Sequence, residues 1–212
     1  MNEHTSPAFW PARGSLHEGR AFVLKEDVIF TVLAQEGGIS WMNGRHPQSG
    51  GSFIIATAVS DEEEERATRL LKNEFALRDR LHDGWAIRPV ASTQYRGRFA
   101  LVYAPFCFEL LACRAGKAIS GIARFIEMAI RICGPLRQMH QHNLIHGDIK
   151  PGAIFVHHDA TCRLCSFGLS CGTSDAFSQS RLAASGGTPA YMSPEHTTRT
   201  RRAVDSRSDL YS

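Results

Sequence analysis

Cys162 and Cys165 stand in a C-x-x-C, with His157 and His158 shortly before and Cys171 shortly after. Thiolates and imidazoles at such spacing form half of a tetrahedral zinc site, but no second well-spaced ligand pair accompanies them. Free cysteines are commonly buried. These three, with Cys107, Cys113 and Cys133, are therefore expected as free thiols, and no metal site is expected. Glu74 poses a sharper question. Leu70, Leu77 and Leu81 recur on one face of an expected helix, and Glu74 falls on that same apolar face. A carboxylate placed there needs a partner. The acids Asp61–Glu65 have a local explanation: Ser60 can cap this helix, and acids suit the positive end of its dipole.

The bulk composition narrows the function classes. The 212 residues are 43% apolar, enough for a buried core, and the formal net charge is +3 without a visible basic run or basic amphipathic helix. Nothing here points to nucleic acid or an anionic membrane surface as partner. No apolar stretch approaches the length of a membrane span. Residues 1–13 lack the apolar core of a secretory signal, so the cytoplasm is the expected compartment.

These side chains must be held by a strand-rich front and a helical back. Strands are expected at Phe30–Leu33, Ser40–Gly44, Phe53–Val59, Trp85–Ser92 and Phe99–Ala104, with turns at Gly37-Gly38, 46–51 and Arg96-Gly97. The first helix is expected to run to about Leu81. A longer one follows from Gly121 to Gln141, with Ile122, Phe125, Ile126, Ala129, Ile130, Cys133 and Leu136 as its apolar stripe. Gly134-Pro135 is expected to kink or loosen it. Beyond it come loops with two short apolar runs, Ile154–Val156 and Cys162–Leu164.

Four segments in this order carry a family resemblance. The segment 146–151, HGDIKP, resembles the catalytic loop of eukaryotic-type serine/threonine protein kinases. Residues 162–168, CRLCSFG, are similar to the strand leading into the metal-binding D-F-G. Residues 187–195, GTPAYMSPE, resemble the end of the activation segment, and 205–212, DSRSDLYS, the start of the large helix that follows. The resemblance implies an α+β, two-lobed protein-kinase-like fold. Its N-lobe would be an antiparallel sheet plus one helix at 30–104, after a leader at 1–29. Its C-lobe, 105–212, would be mainly helical and truncated at the start of that large helix. Residues 73–77, 85–90 and 205–212 further resemble the N-terminal kinase-like domain of large bacterial hybrid proteins. Those proteins join a serine/threonine-kinase-like domain to an ATPase region and a sensor histidine kinase.

The resemblance also assigns roles. Asp148 falls at the position of the catalytic base and Lys150 at that of a γ-phosphate contact. Gly37, Gly38, Thr57 and Glu74 fall at nucleotide-binding positions, Ala153 and Ser166 at the two Mg²⁺-ligand positions. Phe167, Gly168, Thr188 and Glu195 mark the activation segment. Here the chain departs from the family. Thr57 stands in place of the phosphate lysine, leaving Glu74 as an orphan. Ala153 and Ser166 supply none of the carboxylate or amide oxygens that Mg²⁺ prefers. The Gly37-Gly38 turn lacks the G-x-G-x-x-G pattern, and Gly147 replaces the arginine that reads activation-loop phosphorylation. Weak ATP binding, little affected by Mg²⁺, is expected. The leading expectation is a pseudokinase partnered by other domains of a larger signalling protein or by a separate protein. The alternative is an active kinase that uses Asp148 with a displaced lysine such as Lys25 or Lys72. A remote one is a small-molecule phosphotransferase, since His146-Gly147-Asp148 also resembles the H-G-D of aminoglycoside- and choline-kinase-like enzymes.

Overall fold

The computed structural model describes residues 24, 27–115, 121–174, 187–197 and 203–212. Most of the expected leader and Lys25, with Ser178, Ser180 and Ser185, lie outside the described residues. Two compact units emerge: one contains the chain up to Leu71 together with Pro89–Phe106, the other Lys72–Arg88 with Cys107–Ser212.

The first unit is a five-stranded antiparallel sheet in the order β1-β2-β3-β5-β4. Its strands are β1 (Ile29–Glu36), β2 (Ile39–Arg45), β3 (Ser52–Ala58), β4 (Pro89–Tyr95) and β5 (Arg98–Tyr103). The unbroken apolar run in β3 suits the central strand, which is buried on both faces. Met42, Phe53, Ile55, Ala91 and Val102 form the core on one face. On the other, Trp41 packs its ring 4.9 Å from that of Tyr103. Two hairpins close with two-residue turns, Gly37-Gly38 (φ 56° and 80°) and Arg96-Gly97 (φ 52° and 81°). Their positive φ values match the right-handed twist of the flanking strands.

The helix α1 (Glu64–Leu77) starts later and ends earlier than its periodicity suggested, and a 3-10 turn at Arg78–Arg80 follows it. Ser60 is therefore not its cap. Its buried stripe is Ala67, Leu71 and Glu74, with Leu70 and Leu77 half-buried at the flanks. Of the acids ahead of it, Asp61 pairs with Arg98 at the start of β5.

In the second unit the expected strand at 85–92 is not a strand before Pro89. Trp85–Ile87 instead bonds alongside Leu164, with Ile87 N–H donating to the Leu164 carbonyl and Leu164 N–H to that of Trp85. Trp85 is fully buried in a core with Leu81, Leu136, Met139, Leu144, Ile154, Leu164 and Phe167. That packing places residues 72–88 in this unit rather than with the sheet. Around the core lie β6 (Phe108–Leu110), β8 (Ile154–His157) and β9 (Cys162–Leu164) as one small sheet, and β7 (Leu144–Ile145) with β10 (Cys171–Gly172) as another. Two short helices, α2 (Leu111–Ala115) and α4 (Ser208–Tyr211), accompany the long α3 (Ile122–Gln141). α3 runs unbroken through Pro135, because Leu136 and Met139 beyond it are anchored in the core. Its expected apolar stripe divides. Leu136 is buried, whereas Ile122, Phe125, Ile126, Ile130 and Cys133 are exposed.

Candidate functional site

The loop between β7 and the 3-10 turn Pro151–Ala153 carries Asp148 and Lys150. Asp148 Oδ2 lies 2.8 Å from Lys150 Nζ. Lys150 Nζ also donates to Thr188 Oγ1 at 2.7 Å, and Thr188 N–H donates to Asp148 Oδ1 at 2.9 Å. Carboxylate, ammonium and threonine thus close a three-membered network. Lys150 is buried with its charge matched. Burial disfavours ionisation of Asp148, but the hydrogen bond and charge of Lys150, with the Thr188 hydrogen bond, outweigh it and hold the carboxyl below the usual carboxylate range. Gly187 packs beside it, where an added Cβ would lie in ordinary contact with Asp148 Oδ1 at 3.5 Å and 3.2 Å from the flexible end of Met192.

The loop backbone is held from α4. Asp209 is buried and accepts from His146 N–H at 2.8 Å and Gly147 N–H at 2.9 Å, and its Oδ2 pairs with His140 Nε2 at 2.9 Å. Gly147, at φ 80°, takes a backbone conformation that side chains rarely adopt. His146 bonds in two directions: its Nε2 pairs with the Cys165 carbonyl at 2.9 Å and its Nδ1 accepts from Asp148 N–H at 3.3 Å. That pattern is the neutral Nε2–H tautomer. Burial, against the opposing pull of Asp209 and the Cys165 carbonyl, lowers the pKa of His146 and keeps it neutral. Phe167 packs against this ring, with centroids 5.2 Å apart, and against Trp85 at 5.9 Å. Ser170 Oγ donates to the His146 carbonyl, and Asn73 Nδ2 to the carbonyls of Gly168 and Ser170. Glu195 Oε1 accepts from Ser208 Oγ at 2.5 Å, which lowers its pKa.

The sequence profile described as the protein kinase domain matches residues 54–212. The chain belongs to the protein kinase family. Among curated relatives, a DNA damage-responsive serine/threonine-protein kinase of Deinococcus radiodurans is 34% identical over 90 residues, 42% of this chain and 13% of the relative. Serine/threonine-protein kinases PknB are similar as well. That of Mycobacterium leprae is 36% identical over 87 residues, 41% of this chain and 14% of the relative. That of Mycolicibacterium smegmatis is 37% identical over 90 residues, 42% and 14%. The matched stretch is thus about a seventh of the length of these relatives. They support the eukaryotic-type serine/threonine branch of the kinase family.

A kinase domain implies ATP and Mg²⁺, and the residues at the two metal positions fit the ion poorly. Ala153 is fully buried and offers no side-chain oxygen. Ser166 offers one neutral hydroxyl, 3.8 Å from Cys165 Sγ, on a backbone in the left-handed region at φ 64°. Among the described residues no group of three or more His, Cys, Asp or Glu could hold a metal ion. Cys162 and Cys165 are both buried, and burial raises the Cys162 thiol pKa.

In the first unit, Thr57 is buried on the face that carries Phe53 and Ile55, and its hydroxyl donates to the Phe99 carbonyl at 2.9 Å. Its neighbours on the opposite face are Ala56 and Ala58, so β3 presents no cation on either side. Glu74 is buried yet engaged in a polar interaction, which corrects the expectation of an orphan. Lys72 is exposed on α1. Of the site residues expected from sequence, the structure brings together Asp148, Lys150 and Thr188, and sets Phe167 against His146. Asp209, His140, Asn73, Ser170 and Ser208 hold this arrangement and were not singled out as site residues. For Asp209 and Ser208 the signal lay within the 205–212 motif.

Proposed function

We propose that this protein kinase domain is a degraded one, a pseudokinase acting as a binding or regulatory module within a larger bacterial signalling protein of the hybrid sensor kind. The observation that carries the reading is the pair Ala153 and Ser166, which leaves the metal positions without carboxylate or amide oxygens. The uncharged β3 and the tight two-residue Gly37-Gly38 turn support it. Losing one charge-stabilising group commonly lowers a rate by about two to three orders of magnitude. Losing several leaves little, although such effects need not multiply. Its partner would then be another domain of the same protein or a separate protein. No described helix is long and apolar enough to cross a membrane.

One observation favours a second reading, an active serine/threonine kinase: the Asp148–Lys150–Thr188 network is complete. Thermal shift with ATP, with and without Mg²⁺, separates the two. Under the pseudokinase reading the shift is small and nearly independent of Mg²⁺. Phosphate transfer from labelled ATP, lost in Asp148→Asn, would establish the active kinase instead.

A further inference from the structure

The Gly37-Gly38 turn leaves Gly37 exposed but is covered on one side at Gly38. Glu63, just ahead of α1, lies over it so closely that a Cβ on Gly38 would sit 2.5 Å from its Oε2 and 2.9 Å from its Cδ. Arg66, one turn into α1, donates from Nη1 to the Gly37 carbonyl at 2.8 Å and stands 3.8 Å from Glu63 Oε2. From the other side, Val59 N–H donates to the Gly38 carbonyl at 3.0 Å. Both glycine carbonyls are therefore tied down within the first unit. The group resting on the turn is a carboxylate, of the same charge sign as a phosphate.

From this arrangement we infer an autoinhibitory latch: Glu63 and Arg66 hold the glycine turn closed and keep a nucleotide phosphate off it. The inference deepens the functional proposal and rests on its reading of this turn as the nucleotide turn. A phosphate seated at Gly38 would stand against the Glu63 carboxylate, and that repulsion eases when Glu63 swings away. Arg66 opposes that movement, since it bonds to the turn and pairs with Glu63 at once. Both side chains are nearly half exposed, 43% for Glu63 and 45% for Arg66, so the latch is a weak surface device that can be opened without unfolding the sheet.

The test uses the 212-residue chain and the variants Glu63→Ala, Glu63→Gln and Arg66→Ala. Glu65→Ala, which removes an exposed acid from the same helix end, is the control. Amide hydrogen exchange over residues 36–39 and at Val59 reports the latch. Calorimetric titration with ATP, without Mg²⁺, reports phosphate exclusion. The expected result is faster exchange by about fivefold in Arg66→Ala, the weight of one ordinary hydrogen bond, and a smaller rise in Glu63→Ala, which removes the exposed ion pair that steadies Arg66. ATP should bind about threefold to tenfold more tightly to both Glu63 variants. Glu65→Ala should change neither. Unchanged exchange would overturn the latch. Faster exchange without tighter ATP binding would overturn the exclusion, and an equal gain in Glu65→Ala would reduce it to general charge. Failure of the pseudokinase reading would appear elsewhere, as Mg²⁺-dependent phosphate transfer by the unmodified chain.

Discussion

The loop that carries Asp148 and the turn at Gly37-Gly38 have met opposite fates. In the second unit every charged group of the loop is matched. Asp148 and Lys150 neutralise each other, Thr188 bonds both, and Asp209 secures the backbone beneath. In the first unit the positions that the resemblance assigns to nucleotide binding are engaged locally. Thr57 is bonded within its sheet, and the glycine turn lies under a carboxylate. The contrast teaches that the Asp148 loop is held by the packing and hydrogen bonds of its own unit.

The comparison breaks most directly at Asp209. Asp209→Ala would leave two loop N–H groups and the His140 ring without their acceptor in a buried place. A loss of about 4 kcal/mol is expected in urea unfolding of the 212-residue chain. A loss under about 1 kcal/mol would mean the loop is held by something else. Thr57→Lys sharpens the other side. An ammonium among Phe53, Ile55 and their neighbours has no ready exit, so a destabilisation of about 3 kcal/mol is expected by the same measurement. Unchanged stability would show that β3 still keeps a place for the phosphate lysine.

The smallest effect is on pH. His146 is buried neutral, with its pKa lowered from the ordinary 6.5. The unfolded chain takes up a proton near pH 6.5 that the folded chain refuses. The contribution of His146 is therefore fully present above pH 6.5 and declines as pH falls below it, by at most about 1.4 kcal/mol per pH unit. His196, buried and shifted the same way, adds to the slope. Urea midpoints from pH 7.5 to 5 should fall, and His146→Gln should flatten the curve. Parallel curves would exclude His146 as a source.

Much of this was legible in the sequence, for reasons of different strength. The β3 run and the Gly-Gly and Arg-Gly turns announced the sheet, because turn chemistry and continuous apolar residues act locally. The motifs at 146–151, 187–195 and 205–212 announced the second unit. What could not be read depended on distant partners. Trp85–Ile87 reads as a strand by composition, and only its pairing with Leu164 gives it another place. Glu63 reads as one acid in a row of five, and nothing local says that it lies on a turn some 25 residues earlier. The alternation of β3 likewise fixes which face Thr57 occupies only once the core side is known.

The bonds from Asp209 to His146 and Gly147 span 63 and 62 residues of chain. Closing so wide a loop is entropically slow, and its contacts come late in folding. During synthesis, which proceeds from the N-terminus, the sheet has all its strands once Tyr103 has emerged. The segment around Asp148 must wait for residue 209. Until then the His146 and Gly147 amides lack their acceptor, and a chaperone or a protease would meet a finished sheet tethered to an unfinished loop.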